Sequence, residues 1–361
     1  MIAVVKIGTS SLTDNSGNIA PAVLLKLCAE VAAARGAGHE VVLVSSGAVA
    51  AGLPVLGLAT RPADVGTLQA VAAVGQPRLM EHFSAILGTH GLVAAQVLLT
   101  PYDFIQRTQY LHARQTLRRL LDLGTVPVVN ENDTVADDEI RYGDNDRLAA
   151  LVAHLVGADV LVLLTDTSGL FTADPRLDQA ATLIEEIVEV DEALEGVAGG
   201  VGSERGSGGM ASKLAAAKIA AWSGVRAVIA GADADGVVAA SLSGTPAGTV
   251  VLPRGRRLGS RKLWIAFARG AAGRLVVDAG ARRALVEGGR SLLPAGVVGV
   301  EGRFEADDAV EVIGPDGRPF AKGLVRYPSS GLAAVAGSHT SALPEGAPHE
   351  VIHRDDLVVL A

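Results

Sequence analysis

Strand-like segments, several of them apolar throughout, alternate with helical segments through the larger, N-terminal part of the chain, and this alternation restricts the fold most strongly. Strands are predicted at residues 3–7, 41–44, 93–99, 126–129, 160–164, 227–229 and 249–252, with helices at 22–35, 64–87, 108–123, 147–156 and 212–222. Strands that are apolar throughout are typical of a parallel sheet covered on both faces. We therefore expect an α/β fold, a mostly parallel sheet sandwiched by helices. Gly75 and Pro77 are expected to interrupt the helix at 64–87.

The last quarter of the chain has a different pattern. Short β-type runs occur at residues 274–277, 296–300, 309–313 and 351–352, with one helix at 279–287. A basic, glycine-containing stretch at residues 253–257 precedes them and is typical of a linker. We predict a domain at residues 1–253, a linker at 254–272 and a small β-rich domain at 273–361.

Three features of the sequence indicate the cellular compartment of the protein. The one cysteine, Cys28, excludes an intrachain disulfide and lies in an apolar helical pattern, so we interpret it as a small core residue. The N-terminus lacks the basic and long apolar regions of a signal peptide. The longest uncharged window, residues 41–60, is broken by glycine and proline. We expect a cytoplasmic protein that does not associate with membranes.

Two polar runs indicate a ligand site. They are Asn130-Glu131-Asn132-Asp133 and Gly143-Asp144-Asn145-Asp146, and they separate the strand at 126–129 from the helix at 147–156. In open α/β sheets, ligands bind at the carboxyl ends of the strands. Carboxylates and carboxamides together can hold an ammonium group, a carboxylate and a metal-bound phosphate. This chemistry favours a small zwitterionic substrate.

Two lysines follow patterns that suit an anion. Lys6 interrupts an apolar strand just before Gly8, and it either faces a phosphate or extends from the strand end to water. Lys213 follows the glycine-rich residues 206–209 in the first turn of a helix, where the helix dipole disfavours a cation. It either binds an anion or lies on the surface after a flexible loop. The spacing is not that of a P-loop.

The sequence His349-Glu350-Val351-Ile352-His353 matches the zinc-protease pattern H-E-x-x-H. That motif requires a helix, so that both histidines share one face. Pro348 before it and the β-branched pair within it indicate a strand instead. Four strand steps would separate the histidines by about 13 Å, which is too far for one zinc ion.

Taken in order, these motifs resemble the amino-acid kinase superfamily, and within it the glutamate 5-kinases. The matching segments are residues 4–10, 46–52, 128–133, 143–146, 164–166, 172–176 and 208–213. The pair of runs at 130–133 and 143–146 points to the glutamate 5-kinases, whereas the lysine strand is shared more widely. The last quarter, with residues 291–296 and 353–356, looks like a PUA domain. The resemblance implies an amino-acid-kinase fold followed by that domain.

The resemblance also implies an activity and partners. Members of the family phosphorylate the γ-carboxylate of L-glutamate with ATP, usually with Mg²⁺, and form glutamyl 5-phosphate, the first intermediate of proline synthesis. We expect proline as a feedback inhibitor, glutamyl-phosphate reductase as the pathway partner, and a homo-oligomer, either dimer or tetramer.

Residue roles are carried over position by position. Lys6 and Lys213 would stabilise the transferring phosphoryl group, and Asp146 would hold both lysines. Ser46, Asp133 and Asn145 would bind glutamate, with Asp144 near the same pocket. The ATP site would comprise Lys6, Thr165, Asp166, Ser207, Gly208, Gly209, Met210, Ala211, Ser212 and Lys213. The ligands of Mg²⁺ are not assigned.

Two other functions stay open at this point. A PUA-like domain could bind RNA, but from residue 273 onward nine Lys and Arg residues face twelve Asp and Glu residues, which disfavours binding to phosphates. We therefore do not expect an RNA partner. The third hypothesis is a kinase for another acid, such as N-acetylglutamate or aspartate.

Overall fold

The structure is a computed structural model that describes residues 1–14, 18–104, 106–135, 145–199, 209–255, 257–268, 270–344 and 346–360. The chain divides into two compact units, Met1–Arg257 and Leu258–Ala361. Among the described residues, no helix combines the length and the apolar character needed to span a membrane.

The first unit is built on an eight-stranded sheet. Its strands are β1 (Ile2–Ile7), β2 (Glu40–Ser45), β3 (Ala94–Leu99), β4 (Val126–Glu131), β5 (Val160–Thr165), β6 (Glu186–Ile187), β7 (Arg226–Gly231) and β8 (Thr249–Val251). Their order is β3-β4-β2-β1-β5-β7-β8-β6, and only the β7–β8 pair is antiparallel. β1, β4 and β5 are buried at every position. The predicted, mostly parallel sheet is therefore confirmed.

Nine helices connect these strands within the described part of the first unit. They are α1 (Thr9–Leu12), α2 (Pro21–Gly36), α3 (Ala48–Val55), α4 (Val65–Thr89), α5 (Arg107–Asp122), α6 (Asn145–Val156), α7 (Glu192–Gly199), α8 (Met210–Trp222) and α9 (Val237–Ser243). Cys28 on α2 is fully buried in the main hydrophobic core, and burial raises the pKa of its thiol to about 12. The prediction of a core cysteine is confirmed.

The predicted interruption of the helix at residues 64–87 was wrong, because α4 runs unbroken through Gly75 and Pro77. Its buried face continues past both residues and includes Leu68, Leu79 and Phe83. A Cβ atom at Gly75 would lie 1.8 Å from the carbonyl oxygen of Ala48, the first residue of α3. Gly75 therefore allows α3 and α4 to pack closely, and it does not end α4.

This packing gives a stability prediction. We expect Gly75→Ala to lower the free energy of unfolding by about 3 kcal/mol, at the upper end of the usual cost of overpacking, because the added methyl group meets backbone atoms that cannot rotate away. The matched control is Gly88→Ala in the same helix, where a Cβ atom would meet no neighbour within 4 Å. There the higher helix propensity of alanine should add up to ~1 kcal/mol. Urea unfolding of both variants tests this, and equal effects would contradict it.

The second unit contains a five-stranded sheet. Its elements are α10 (Ser260–Leu263), a π-helical turn (Trp264–Ala268), β9 (Gly273–Val277), α11 (Ala279–Val286), β10 (Val297–Gly302), β11 (Ala309–Ile313), β12 (Pro319–Leu324), α12 (Ser329–Val335) and β13 (Leu357–Val359). The strand order is β10-β9-β11-β12-β13. A separate hydrophobic core fills this unit. The predicted small β-rich domain is confirmed.

Residues 351–352 do not form the strand that the sequence predicts. Ile352 makes only an isolated bridge to Leu292. The motif from His349 to His353 is not helical either, and among the described residues no cluster of three or more His, Cys, Asp or Glu side chains could hold a metal ion.

Candidate active site

One carboxylate and two lysines form a buried ionic cluster in the first unit. The Nζ atom of Lys6 on β1 lies 2.5 Å from Oδ1 of Asp146, and Nζ of Lys213 lies 3.3 Å from Oδ2 of the same residue. The side chains of Lys6, Asp146 and Lys213 are only 4%, 1% and 6% exposed. Lys6 is thus a buried ion-pair partner, and the alternative of a lysine reaching water is ruled out.

Local structure explains how the three residues converge. β1 lies between β2 and β5, so Lys6 extends from the middle of the sheet. Asp146 occupies the first turn of α6, where the helix dipole favours an anion. Lys213 lies in the first turn of α8, where the dipole disfavours a cation, and the carboxylate of Asp146 offsets this cost.

The two lysines of the ionic cluster keep the Asp146 carboxyl group ionised. Burial alone would raise the pKa of Asp146, but the charges of Lys6 and Lys213 and the hydrogen bonds from Lys6 and Ser212 outweigh it, so this pKa falls below its ordinary value. Ser212 Oγ donates to Asp146 Oδ2 at 2.6 Å. Lysine ammonium groups are common phosphate ligands, so the two amino groups suit a negatively charged ligand.

An amide cluster lies next to the ionic cluster, since its central residue, Asn145, precedes Asp146 in the chain. Asn145 Nδ2 donates to Ser46 Oγ at 2.9 Å and to Asn130 Oδ1 at 3.1 Å. Ser46 follows β2, and Asn130 lies near the end of β4. The carboxyl ends of two neighbouring strands and the start of α6 thus meet here, as the polar runs predict.

Asp133 follows β4 and is half-buried. Burial raises the pKa of its carboxyl group to about 6, although the charge of Arg61 acts in the opposite direction. Such a carboxyl group loses its negative charge as the pH falls through about 6.

Apart from Lys6 on β1, the described residues that are predicted to contact ATP lie at the end of β5 and at the start of α8. Thr165 is buried at the end of β5, and its Oγ1 donates to Oδ1 of the exposed Asp166 at 3.1 Å. Gly209 occupies the N-cap position of α8, which begins at Met210, and Ala211 is exposed. Ser212 contacts Asp146, which the sequence does not indicate. Asp144, Ser207 and Gly208 lie outside the described residues.

Two amides of this site, Gln76 on α4 and Gln96 on β3, were not predicted as site residues. They form consecutive hydrogen bonds with Asn130, which belongs to the first polar run. A signal was present at Gln76, which falls among buried apolar positions of its helix, including Ala72 and Leu79.

Comparisons with known proteins show which families match this chain. Residues 1–231 match the amino acid kinase family, and residues 273–346 match the PUA domain. Curated proteins named glutamate 5-kinase match nearly the full length: one from Pelobacter propionicus is 45% identical, covering 99% of this chain and 97% of its own. Another from Geobacter sp. is 48% identical with the same coverage, and one from Mycobacterium avium is 47% identical, covering 99% and 96%.

The chain belongs to the glutamate 5-kinase family. The resemblance inferred from its motifs is thereby confirmed, as is the presence of a C-terminal PUA domain. A solved structure, carbamate kinase from Giardia lamblia bound to AMP-PNP, shares the fold of the first unit, with a TM-score of 0.52 and 16% identity over 70% of this chain and 98% of that one. This glutamate 5-kinase family member has the amino-acid-kinase fold, and its ionic cluster includes Lys6 near the carboxyl end of the inner strand β1.

Proposed function

We propose that this kinase transfers the γ-phosphoryl group of ATP to the γ-carboxylate of L-glutamate. The product would be L-glutamyl 5-phosphate, the first intermediate of proline synthesis from glutamate. The observation that carries the proposal is the buried cluster of Lys6, Asp146 and Lys213 beside the amides of Asn130 and Asn145. The names of the curated relatives support the choice of glutamate.

The nucleophile in this reaction needs no general base. A glutamate side chain has a pKa of about 4.3, so its carboxylate is already ionised at neutral pH. The barrier lies in bringing this anion to an anionic phosphate and in stabilising charge on the transferring group. Cations held in a water-poor site can lower that barrier.

Lys6 and Lys213 are the cations that we assign to the phosphoryl group. Asp146 contacts both amino groups, and it would hold them at a fixed separation before the substrates arrive. Because Asp146 would already hold the lysines in place, no free energy of reorganisation would be needed when the transition state forms. Phosphoryl transfer would then depend mainly on position and charge.

We assign glutamate to Ser46, Asp133 and Asn145, with Asp144 near the same pocket. Asn145 Nδ2 donates to the Ser46 hydroxyl, so the hydrogen of that hydroxyl stays available for a carboxylate of the substrate. The Asp133 carboxylate suits the ammonium group. These assignments explain why acids and amides, instead of apolar residues, follow β4.

ATP would contact Thr165, Asp166 and residues 207–213, which include Ser207, Gly208, Gly209 and Lys213. Gly209 has no side chain to cap α8, so the N–H groups of the first turn can serve a phosphate. Mg²⁺ usually binds through substrate phosphates with one or two carboxylates, which does not require an acidic cluster. The exposed carboxylate of Asp166 fits such a role. When bound, Mg²⁺ would neutralise charge on the phosphates.

The raised pKa of Asp133 predicts how glutamate use depends on pH. Below pH about 6 the carboxyl group becomes neutral and no longer attracts an ammonium group. Neither glutamate carboxylate nor its ammonium group titrates between pH 5 and 7, so kcat/KM for glutamate should fall about tenfold per pH unit below that point. A pH profile of kcat/KM at saturating ATP measures this.

Two variants test whether Asp133 causes the fall of kcat/KM at acidic pH. Asp133→Asn should give a low kcat/KM with no acidic limb between pH 5 and 7. Arg61→Ala removes a charge that lowers the Asp133 pKa, so its acidic limb should move to higher pH. An acidic limb that survives in Asp133→Asn would assign the titration to another group.

The reaction itself is tested with purified protein, L-glutamate, ATP and Mg²⁺, with hydroxylamine added to trap the acyl phosphate. We expect hydroxamate with L-glutamate, and none with N-acetylglutamate or L-aspartate. Hydroxamate with another acid alone would replace glutamate by that acid as the substrate. ADP release without hydroxamate would contradict transfer to a carboxylate.

We further propose feedback inhibition by proline, a homo-oligomer of two or four chains, glutamyl-phosphate reductase as pathway partner and a cytoplasmic location. The proposed kinase domain spans residues 1–253, the linker 254–272 and the PUA domain 273–361, which is supported by the division of the chain after Arg257. Adding proline to the hydroxamate assay tests inhibition, and sedimentation tests assembly. A tRNA titration should show no binding, because acidic residues outnumber basic ones in the tail.

A further inference from the structure

A chain of four side-chain amides leads from the edge strand β3 to the proposed glutamate site. Gln76 Nε2 donates to Gln96 Oε1 at 3.1 Å, and Asn130 Nδ2 donates to Gln76 Oε1 at 2.8 Å. Asn145 Nδ2 then donates to Asn130 Oδ1 at 3.1 Å. Gln96 is exposed, whereas the other three amides are buried. Burying amides is costly unless they are paired, so this amide chain calls for an explanation.

One backbone group sets the direction of the whole amide chain. The N–H of Glu131 donates to Asn130 Oδ1 at 2.9 Å, and a backbone N–H can only donate. This contact identifies the oxygen of the Asn130 amide, so its nitrogen must face Gln76. Asn145 must in turn present its nitrogen to Asn130. The orientation of each amide is therefore fixed by the one beside it.

The direction of the amide chain determines what Asn145 can offer a ligand. Its Nδ2 is used by Ser46 Oγ and Asn130 Oδ1. Its Oδ1 is buried and accepts no hydrogen bond from any residue that the structure describes. A buried carbonyl oxygen without a donor is unfavourable, and a ligand that brings an N–H group relieves this. An ammonium group has three such donors and no acceptor.

We propose that Gln76 is a positioning residue for substrate selection. The Glu131 N–H selects which atom of the Asn130 amide faces Asn145, and Gln76, by accepting from Asn130 Nδ2, holds that amide in place, so that Asn145 keeps its Oδ1 turned toward the ammonium group of an amino acid. A dicarboxylic acid without an amino group gains nothing from this oxygen. The proposal rests on the proposed function, because it takes L-glutamate as the substrate, and it adds that Gln76 and Gln96 lie behind the residues that contact it.

The test compares L-glutamate with glutarate, which has both carboxylates but no amino group. The full-length protein is assayed by hydroxamate formation, giving KM for glutamate and, by competition, Ki for glutarate. In Gln76→Met, which keeps the shape of the side chain without its hydrogen bonds, KM for glutamate should rise about tenfold, the effect of losing a hydrogen bond to a charged group. Ki for glutarate and KM for ATP should stay within about twofold.

Two further variants separate positioning from a structural role. Gln76→Glu keeps an oxygen that can accept the hydrogen bond from Asn130. Its ratio of glutarate Ki to glutamate KM should therefore lie within about threefold of the wild-type ratio. Glu81→Ala breaks an exposed ion pair with Arg78 on the same helix and should leave this ratio unchanged. If Gln76→Met does not fold, Gln76→Ala replaces it, and the same ratio decides.

The possible results are distinct. A lower ratio in Gln76→Met that Gln76→Glu restores supports the positioning role. A parallel rise of KM and Ki, or no change in either, overturns it while the proposed function stands. Wild-type protein that forms no hydroxamate from glutamate refutes the proposed function, and with it this role of Gln76.

Discussion

Lys6→Ala is expected to lower kcat by about 10³-fold or more, in line with the loss of a positioned charge that stabilises a transition state. KM for glutamate should change little, because the amide cluster around Asn145 does not include Lys6. The protein should stay folded, since Asp146 keeps its contacts with Lys213 and Ser212. Steady-state hydroxamate assays and a thermal unfolding curve measure both parts of the prediction.

The control for this change is Lys218→Ala on α8. It removes the same charge, but the ion pair of Lys218 with Glu195 lies at the surface, with side chains 25% and 47% exposed. We expect kcat within about twofold of the wild type and a stability change of at most ~1 kcal/mol. Wild-type turnover in Lys6→Ala would remove Lys6 from the catalytic residues, and comparable losses in both variants would point to a general charge effect.

Asp146→Ala is expected to damage stability and activity together. It leaves two buried ammonium groups without the carboxylate between them, and breaking a buried pair in this way costs about 3–5 kcal/mol. Turnover should fall at least as far as in Lys6→Ala, because both lysines lose their common partner. Urea unfolding and hydroxamate assays give the two quantities.

A second substitution identifies repulsion as the cause. If the cost arises from repulsion between the two lysines, Asp146→Ala combined with Lys6→Met should be less destabilised than the sum of the single changes. Glu195→Ala, which breaks the surface pair with Lys218, should cost at most ~1 kcal/mol. Additive effects in the double variant would show that the cost of Asp146→Ala comes from lost packing or lost hydrogen bonds instead.

The sheet could be predicted from the sequence because strands that are buried on both faces consist largely of apolar residues. β1, β4 and β5 are buried at every position, and their apolar runs can be recognised without knowing their neighbours. β6 has only two residues, and no local pattern marks it. The continuity of α4 also depended on a neighbour, because Gly75 is explained by the backbone of α3 and not by helix propensity.

The residues of the candidate site could be predicted from the sequence more readily than the contacts between them. The motifs mark Lys6, Asp146 and Lys213 as candidate site residues, but their meeting at one carboxylate depends on three elements that are remote in sequence. The contact of Ser212 with Asp146 follows only from the direction in which α8 begins. Gln76 was missed because a single polar residue on an apolar helix face indicates a buried partner without saying which one.

The ionic cluster also bears on how the enzyme is made. Its three residues come from the first strand, from α6 and from α8, and Lys213 is synthesised long after Lys6. A nascent chain that has not yet reached α8 carries Lys6 and Asp146 without the second lysine. Because contacts between such distant segments form late and slowly, the capacity for phosphoryl transfer should emerge only when the last of these segments docks. A ribosome-bound fragment ending before α8 would then be inactive even if its strands had already paired.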